Sequence, residues 1–206
     1  MSSTICGDTT ERFRRGEYPT DPDPSPVLRD YIDEFSDGRA LDIATGPGRN
    51  ALFLAEQGYT VDAIDRSREG LRIAKRNATH RDVAVDWIQA DATEFAYPSA
   101  TYDVITIGFF RIVDRLPDIK AALRPDGYLF YQHHLRTTDP VTHGPSSDRY
   151  RFAANELLRA CLDLTILHYE ETTETFEGDP VPTVELTARN STGSSQTYPR
   201  APRAVE

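Results

Sequence analysis

Hydrophobic and polar positions change period repeatedly along the chain. Val27, Leu28, Tyr31, Ile32 and Phe35 recur at helical spacing. Ser25 precedes them as a capping residue, Pro26 suits the first turn, and Asp37-Gly38 ends the pattern. From Arg39 the runs alternate. RALDIA, TVDAID, VAVDWIQA, YDVITIG and GYLFYQHH are short, apolar runs of strand type. RNALFLAEQG, SREGLRIAKRNA and DRLPDIKAAL predict helices, the first ending at Gly58 and the second capped by Ser67. A polar loop over 135–151 precedes ANELLRACL, a predicted helix, and then two strands, LTILHYEE and PTVELTAR, joined by EGDP. Steady alternation predicts an α/β fold, a mostly parallel sheet with helices on both faces. The last two strands, joined without a helix, predict an antiparallel pair at one edge. The domain spans 25–189, after an extension over 1–24 and before a tail over 190–206, whose Ser, Thr, Pro and Arg content predicts disorder.

Charge narrows the partners. The formal net charge is -10, and Lys75 and Lys120 are the only lysines. Such a surface repels DNA and RNA. The acids are spread along the chain, as in a merely acidic protein or in one adapted to high salt, a halophilic setting where acids keep the surface solvated. No apolar run is long enough for a membrane-spanning helix, and the first residues lack the apolar core of a secretory signal. Cys6 and Cys161 have no metal-ligand spacing. A reduced, cytoplasmic protein is expected, a monomer or homodimer, with Cys161 a small core residue.

The chemistry gathers at ALDIATGPGRN, residues 40–50. Gly46 and Gly48 let the backbone turn sharply and approach a ligand, and the helix that follows points its N-terminus there. GPGRNA also satisfies the pattern of dinucleotide-binding folds, so NAD(P) is a candidate. Asp42 argues against a pyrophosphate, because like charges at close range repel. A carboxylate there suits an ammonium group, as in S-adenosylmethionine, which has a cationic sulfonium and no phosphate. The alternative is an acid that only caps backbone amides. Asp65 ends the second predicted strand, 17 positions after Gly48, where a carboxylate can accept both ribose hydroxyls. Asp91 follows the third, where it can accept from an adenine amine with Ala92 offering an amide. Taken singly, Asp91 is as good a turn former.

With these residues in place, ALDIATGPGRN…VDAID…QADATEF…YDVITIG…LRPDGYLFY resembles the class I S-adenosylmethionine-dependent methyltransferases, from about residue 38 to 189. GPGRNALFLAEQGY and YRFAANELLRACLDLTILHYEE resemble their tellurite-resistance branch and its small relatives. The resemblance implies a single Rossmann-like domain with a seven-stranded, mostly parallel sheet and an antiparallel last strand. It also implies S-adenosyl-L-methionine as cofactor, contacted by Asp42, Gly46, Gly48, Asp65 and Asp91. Ala44, Thr45, Pro47, Asn50, Arg66, Ala92, Gly108 and Phe109 complete the candidate cofactor-binding set. The family often has glycine at Ala44 and cysteine at Thr45.

Methyl transfer from a sulfonium is an in-line displacement that needs alignment and a dry site, and a base only where the acceptor must lose a proton. The asparagine-proline-proline-aromatic motif of amino-group methyltransferases acting on DNA and glutamine is absent after the fourth strand, where the chain reads GFFR. One of Phe109 and Phe110 could wall the cofactor and the other the substrate, or either could be core. His133 and His134 end the fifth strand and point to opposite faces. Either is a candidate catalytic base near neutral pH, or a histidine bonded to a loop carbonyl. Adjacent histidines without a nearby carboxylate or thiolate make a poor metal site, so no metal is expected. Arg111, Arg149 and Arg151 could grip an anionic acceptor or pair with surface acids. Tyr18 sits in a proline-stiffened segment expected to act as a lid. The leading reading is a methyltransferase for a small acceptor through sulfur, another chalcogen or oxygen. The alternatives are a non-catalytic S-adenosylmethionine-binding module and an NAD(P)-binding oxidoreductase.

Overall fold

The computed structural model describes residues 21, 23–33, 35, 38–176, 178–191, 195 and 198. Cys6, Tyr18, most of the extension over 1–24 and most of the tail over 190–206 lie outside the described residues. By internal contacts the chain forms two compact units, Met1–Ala96 and Tyr97–Glu206.

The first unit contains helix α1 (Pro26–Ile32), strand β1 (Arg39–Ile43), α2 (Arg49–Glu56), β2 (Thr60–Asp65), α3 (Arg68–Arg81) and β3 (Asp86–Gln89). Its strands lie in the order β3-β2-β1, both pairs parallel. Leu41, Ile43, Ala63 and Ile64 are buried, as expected of strands covered on both faces. The α1 helix stops at Ile32, so Phe35 lies beyond its end. Ser25 is its N-cap but makes no side-chain capping bond; its backbone amide instead donates to Asn50 Oδ1 at 3.1 Å. Ser67 does cap α3, accepting from the Gly70 amide at 3.1 Å.

The second unit contains β4 (Tyr102–Gly108), a short 3-10 turn (Val113–Arg115), α4 (Leu116–Ala122), β5 (Leu123–His134), a second 3-10 turn (Asp148–Tyr150), α5 (Glu156–Ala160), β6 (Thr165–Phe176) and β7 (Asp179–Arg189). Its order is β4-β5-β7-β6. The β4 and β5 strands are parallel, while β7 runs antiparallel to both β5 and β6. The seven strands are therefore those of the expected mixed, mostly parallel α/β class, with the last strand antiparallel.

Pairing lengthens the last three strands beyond their apolar runs. The β6 and β7 strands pair to the tip of their hairpin, from Thr165–Arg189 to Phe176–Asp179. The Pro125-Asp126-Gly127 turn becomes a kink inside β5. Asp126 has φ 64° there, its amide donates to the Asn190 carbonyl at 2.7 Å, and the Asn190 amide donates to the Gly127 carbonyl at 2.8 Å. A Cβ on Gly127 would lie 3.0 Å from the carbonyl oxygens of Arg124 and Tyr102, so only glycine fits. The predicted helix over 154–162 is regular only from Glu156 to Ala160. Cys161 follows it, buried and free, with burial pushing its thiol up to about 12. It is the inert core residue the sequence predicted. Among the described residues no helix is long and apolar enough to cross a membrane.

One polar pair sits inside the first unit's sheet. Asp62 is buried in β2 and accepts from Arg39 Nε and Nη2 at 2.9–3.1 Å. The Arg39 side chain is still 45% exposed. Removing one partner of a buried pair leaves an uncompensated charge. Arg39→Met is expected to destabilise the protein by about 1–3 kcal/mol, below the fully buried case because Arg39 is partly solvated. Adding Asp62→Leu is expected to recover part of that loss in urea unfolding.

Candidate functional site

The glycine loop connects β1 to α2 in the first unit, and an acid lies at the carboxyl end of each parallel strand or just beyond it. Asp42, on β1, is 2% exposed. Its Oδ2 accepts from Thr45 Oγ1 at 2.5 Å and from the Ala51 amide at 3.2 Å. The acid therefore braces the loop and the first turn of α2 from below, the amide-capping arrangement weighed in the sequence. Asp65, at the end of β2, also holds the loop. Its Oδ2 accepts from the Gly46 amide at 2.7 Å, and its Oδ1 from the Ser67 amide at 2.6 Å. Burial raises its pKa above the ordinary carboxylate value, and the amides of Ser67, Gly46 and Arg66 pull the other way. Asp91, beyond β3, forms a local turn. Its Oδ1 accepts from the Thr93 amide at 3.0 Å and from the Thr93 hydroxyl at 2.7 Å, and its Oδ2 lies 3.4 Å from Arg66 Nη1. Burial works to raise its pKa, but the Thr93 bonds and Arg66 outweigh it and hold it low.

The loop needs its glycines for different reasons. Gly46 has φ 54° and Gly48 φ 91°, both left-handed. A Cβ on Gly48 would lie 3.1 Å from both Ala74 Cβ and the Trp87 ring, so this glycine lets α3 and β3 pack against the loop. Gly70 was not singled out in the sequence, yet a Cβ there would lie 3.2 Å from the Gly46 carbonyl. A glycine inside an otherwise helical pattern was the available signal. Asn77 adds a tie from α3, donating to the Pro47 carbonyl at 3.2 Å. Ala44 has φ 57°, a strained choice at a position where the resembling family often has glycine. Asn50 is buried with its oxygen turned to Ser25. Ala92 is also buried.

The remaining candidates lie in the second unit. Gly108 ends β4, and Phe109 follows it. His133 and His134 end β5, and both are buried. His133 Nδ1 accepts from the His134 amide at 2.6 Å, which places the proton of the neutral ring on Nε2. His134 Nδ1 is buried without a hydrogen-bond partner. Burial, helped by the charge of Arg151, lowers the pKa to about 3 for His133 and about 4 for His134. Arg111 pairs with Glu156 and lies over the Phe152 ring at 5.4 Å. Arg149 stacks over Tyr150 at 4.5 Å. Arg151 is 1% exposed and donates to the carbonyls of Pro145, Leu135 and His143 at 2.5–2.9 Å. Two of the three arginines offered for an anionic acceptor thus hold the protein itself together. Among the described residues no group of three or more His, Cys, Asp or Glu could hold a metal.

Parallel strands that end in a glycine loop with flanking acids define a Rossmann-like cofactor-binding domain. Residues 40–127, less than half of the chain, match the family model described as "Methyltransferase domain". The ubiquinone biosynthesis O-methyltransferase of Actinobacillus pleuropneumoniae serotype 5b is 30% identical over 129 residues, 55% of this chain. That alignment covers 54% of the relative, so the chain spans about half its length. The Salmonella paratyphi A enzyme of the same name is 27% identical over 193 residues, covering 76% of this chain and 77% of that one. In fold, the chain is similar to TehB from Haemophilus influenzae, with a TM-score of 0.73 at 21% identity, covering 88% of this chain and 67% of that one.

The histidines carry a pH signature. Each is neutral when folded and takes up a proton on unfolding below the ordinary value of 6.5. The unfolded chain then binds more protons, so stability falls as pH drops from 6.5 towards about 4. Each histidine is expected to add a slope of up to about 1.4 kcal/mol per pH unit in that window. Urea unfolding at stepped pH checks this, and His133→Phe should flatten part of the slope.

Proposed function

We propose that the protein transfers a methyl group from S-adenosylmethionine to a small-molecule acceptor through sulfur, another chalcogen or oxygen. One observation carries the choice of cofactor. The Gly46 amide, a loop donor that a pyrophosphate would need, already donates to the Asp65 carboxylate at 2.7 Å. A dinucleotide phosphate would meet that carboxylate, at a cost in repulsion. A cofactor with an ammonium, a sulfonium and a ribose meets acids that favour it. The residues present therefore fit S-adenosylmethionine better than NAD(P).

In this reading Asp65 accepts the ribose hydroxyls, and Asp91 with Ala92 reads the adenine. Asp42 and Thr45 stiffen the loop beneath the methionine moiety. Gly46 and Gly48 allow the backbone its close approach. S-adenosylmethionine, when bound, supplies an activated methyl group on sulfur. The chain supplies alignment and exclusion of water, the main demands of a displacement of this kind. His133 and His134 are neutral at physiological pH, and with pKa values lowered to about 3 and about 4 they are weak bases, so this reading rests on alignment rather than on either imidazole taking a proton. The names of the relatives support oxygen among the possible nucleophiles. The buried free Cys161 supports a reducing, cytoplasmic setting, and the net charge of -10 supports a salt-rich one.

The test is the affinity of an Asp65→Ala variant for S-adenosylhomocysteine. The expected loss is about 1.5–3 kcal/mol, the scale of hydrogen bonds to a charged group. The melting temperature should also fall, because two amides lose their acceptor. Asp65→Asn keeps an acceptor oxygen and should retain more of both. An unchanged dissociation constant in Asp65→Ala means that a different acid holds the ribose.

A further inference from the structure

Inside the second unit, the loop over 135–151 meets the tip of the β6–β7 hairpin at His143. The His143 ring packs edge-on against the Phe176 ring, 4.8 Å between centroids at 81°. Its Nε2 lies 3.3 Å from Asp179 Oδ2. Phe176 ends β6 and Asp179 begins β7, so both contacts fall on the last paired residues of the hairpin. The register carries that tip past the end of β5. His134 pairs with Thr183, and Asp179 lies further out along β7 by about 13 Å of extended chain.

The two sides of this contact are held unequally. Arg151 anchors the loop, donating to the carbonyls of His143 and Pro145 at 2.5 and 2.7 Å, one on each side of Gly144. Gly144 has φ 78° and sits so close to His134 that a Cβ there would collide with the imidazole. The tip is looser. Phe176 is 47% exposed, and nothing lies within 4 Å of where a Cβ on Gly178 would be. The bond from the Thr183 hydroxyl to Glu174, 2.8 Å, holds the two strands of the hairpin to each other.

Protonation changes the character of the contact at Nε2. That atom is buried and has no hydrogen-bond partner among the described residues. A bare ring nitrogen facing a carboxylate sets lone pair against lone pair, whereas a protonated ring can make a charge-assisted hydrogen bond there. Histidine changes charge between about pH 5 and 8. The groups around His143 hold their charge over that range. On β5, burial keeps His133 and His134 neutral, with pKa values lowered to about 3 and about 4. The Arg151 guanidinium stays charged, with Asp148 acting on it from the same loop. From β6 the facing side chain is the uncharged Phe176, and from β7 it is Asp179.

We propose that His143 and Asp179 form a pH-operated latch. Protonation of His143 closes the hairpin tip onto the anchored loop, and loss of that proton as pH rises through the histidine range frees the tip. Phe176 travels with Asp179, so its ring is drawn against the loop in the closed state and given up to solvent in the open one.

A double-mutant cycle of His143→Gln and Asp179→Asn, read by urea unfolding at about pH 5.5 and about pH 8, tests the latch. Both side chains keep contact with solvent, so both variants are expected to fold. The pH slope contributed by His133 and His134 is common to every member of the cycle and cancels. Pulsed hydrogen exchange of the Thr175, Phe176 and Asp179 amides, corrected for the intrinsic effect of pH, follows the tip itself. The expected coupling at the lower pH is about two- to fivefold in the unfolding equilibrium, the scale of a partly exposed ion pair, and close to none at the higher pH. Tip protection in the parent should be greater at the lower pH by a similar factor, and equal at the two pH values in either variant. Roughly 1 M salt should shrink the difference. Coupling of equal size at both pH values, or coupling at neither, overturns the latch. So does a pH dependence of tip protection that persists in both variants.

Discussion

The carboxylate of Asp65 holds two backbone amides from different segments, Gly46 in the glycine loop and Ser67 at the cap of α3. Much of the loop's arrangement in the first unit depends on that pair of hydrogen bonds. It joins the end of β2 to a loop whose Thr45 and Gly48 amides already donate to the carbonyls of Ile64 and Thr45. It also brings α3 close enough that Gly70 must lack a side chain. Asp42 completes the brace from beneath, through Thr45 and Ala51. A loop whose amides already face carboxylates is a different object from one whose amides await a phosphate, though both can be written with the same glycines. The chemistry of the site therefore follows from where the acids sit, more than from the glycine pattern.

The second unit manages charge in another way. Arg151 is buried, and among the described residues its guanidinium donates to three carbonyl oxygens. A guanidinium in that setting organises the loop over 135–151, and its field helps keep His133 and His134 neutral. The sequence offered this arginine for an external anion. Its actual bonds turn it inward, because three carbonyls of one loop converge on a single fork. Arg111 is likewise drawn to Glu156, a residue 45 positions away that no local pattern connects to it.

The β2 and β4 strands were legible to the residue, because each is an apolar run bounded by chain-breaking or polar positions. The Ser67 cap of α3 was legible for a similarly local reason. Features that depend on a distant partner were not. The β6 and β7 strands extend past their apolar runs through mutual pairing, and the Gly127 turn is absorbed into β5 by Asn190. The positions of Asp42, Asp65 and Asp91 at or just beyond successive strand ends were legible as a set. Their partners were not, since whether Asp42 caps an amide or waits for an ammonium depends on a fraction of an ångström. Gly70 was missed because its reason is the close approach of another segment.

The central claim is that an acid-braced glycine loop selects a cofactor without phosphates. Calorimetric titration of the unmodified protein with S-adenosylhomocysteine, and separately with NADH, tests it most directly. The account predicts a dissociation constant for S-adenosylhomocysteine of about 100 μM or tighter, roughly 5 kcal/mol or more of binding free energy, and no measurable heat of binding for NADH. Tight binding of NADH with none of S-adenosylhomocysteine would contradict it.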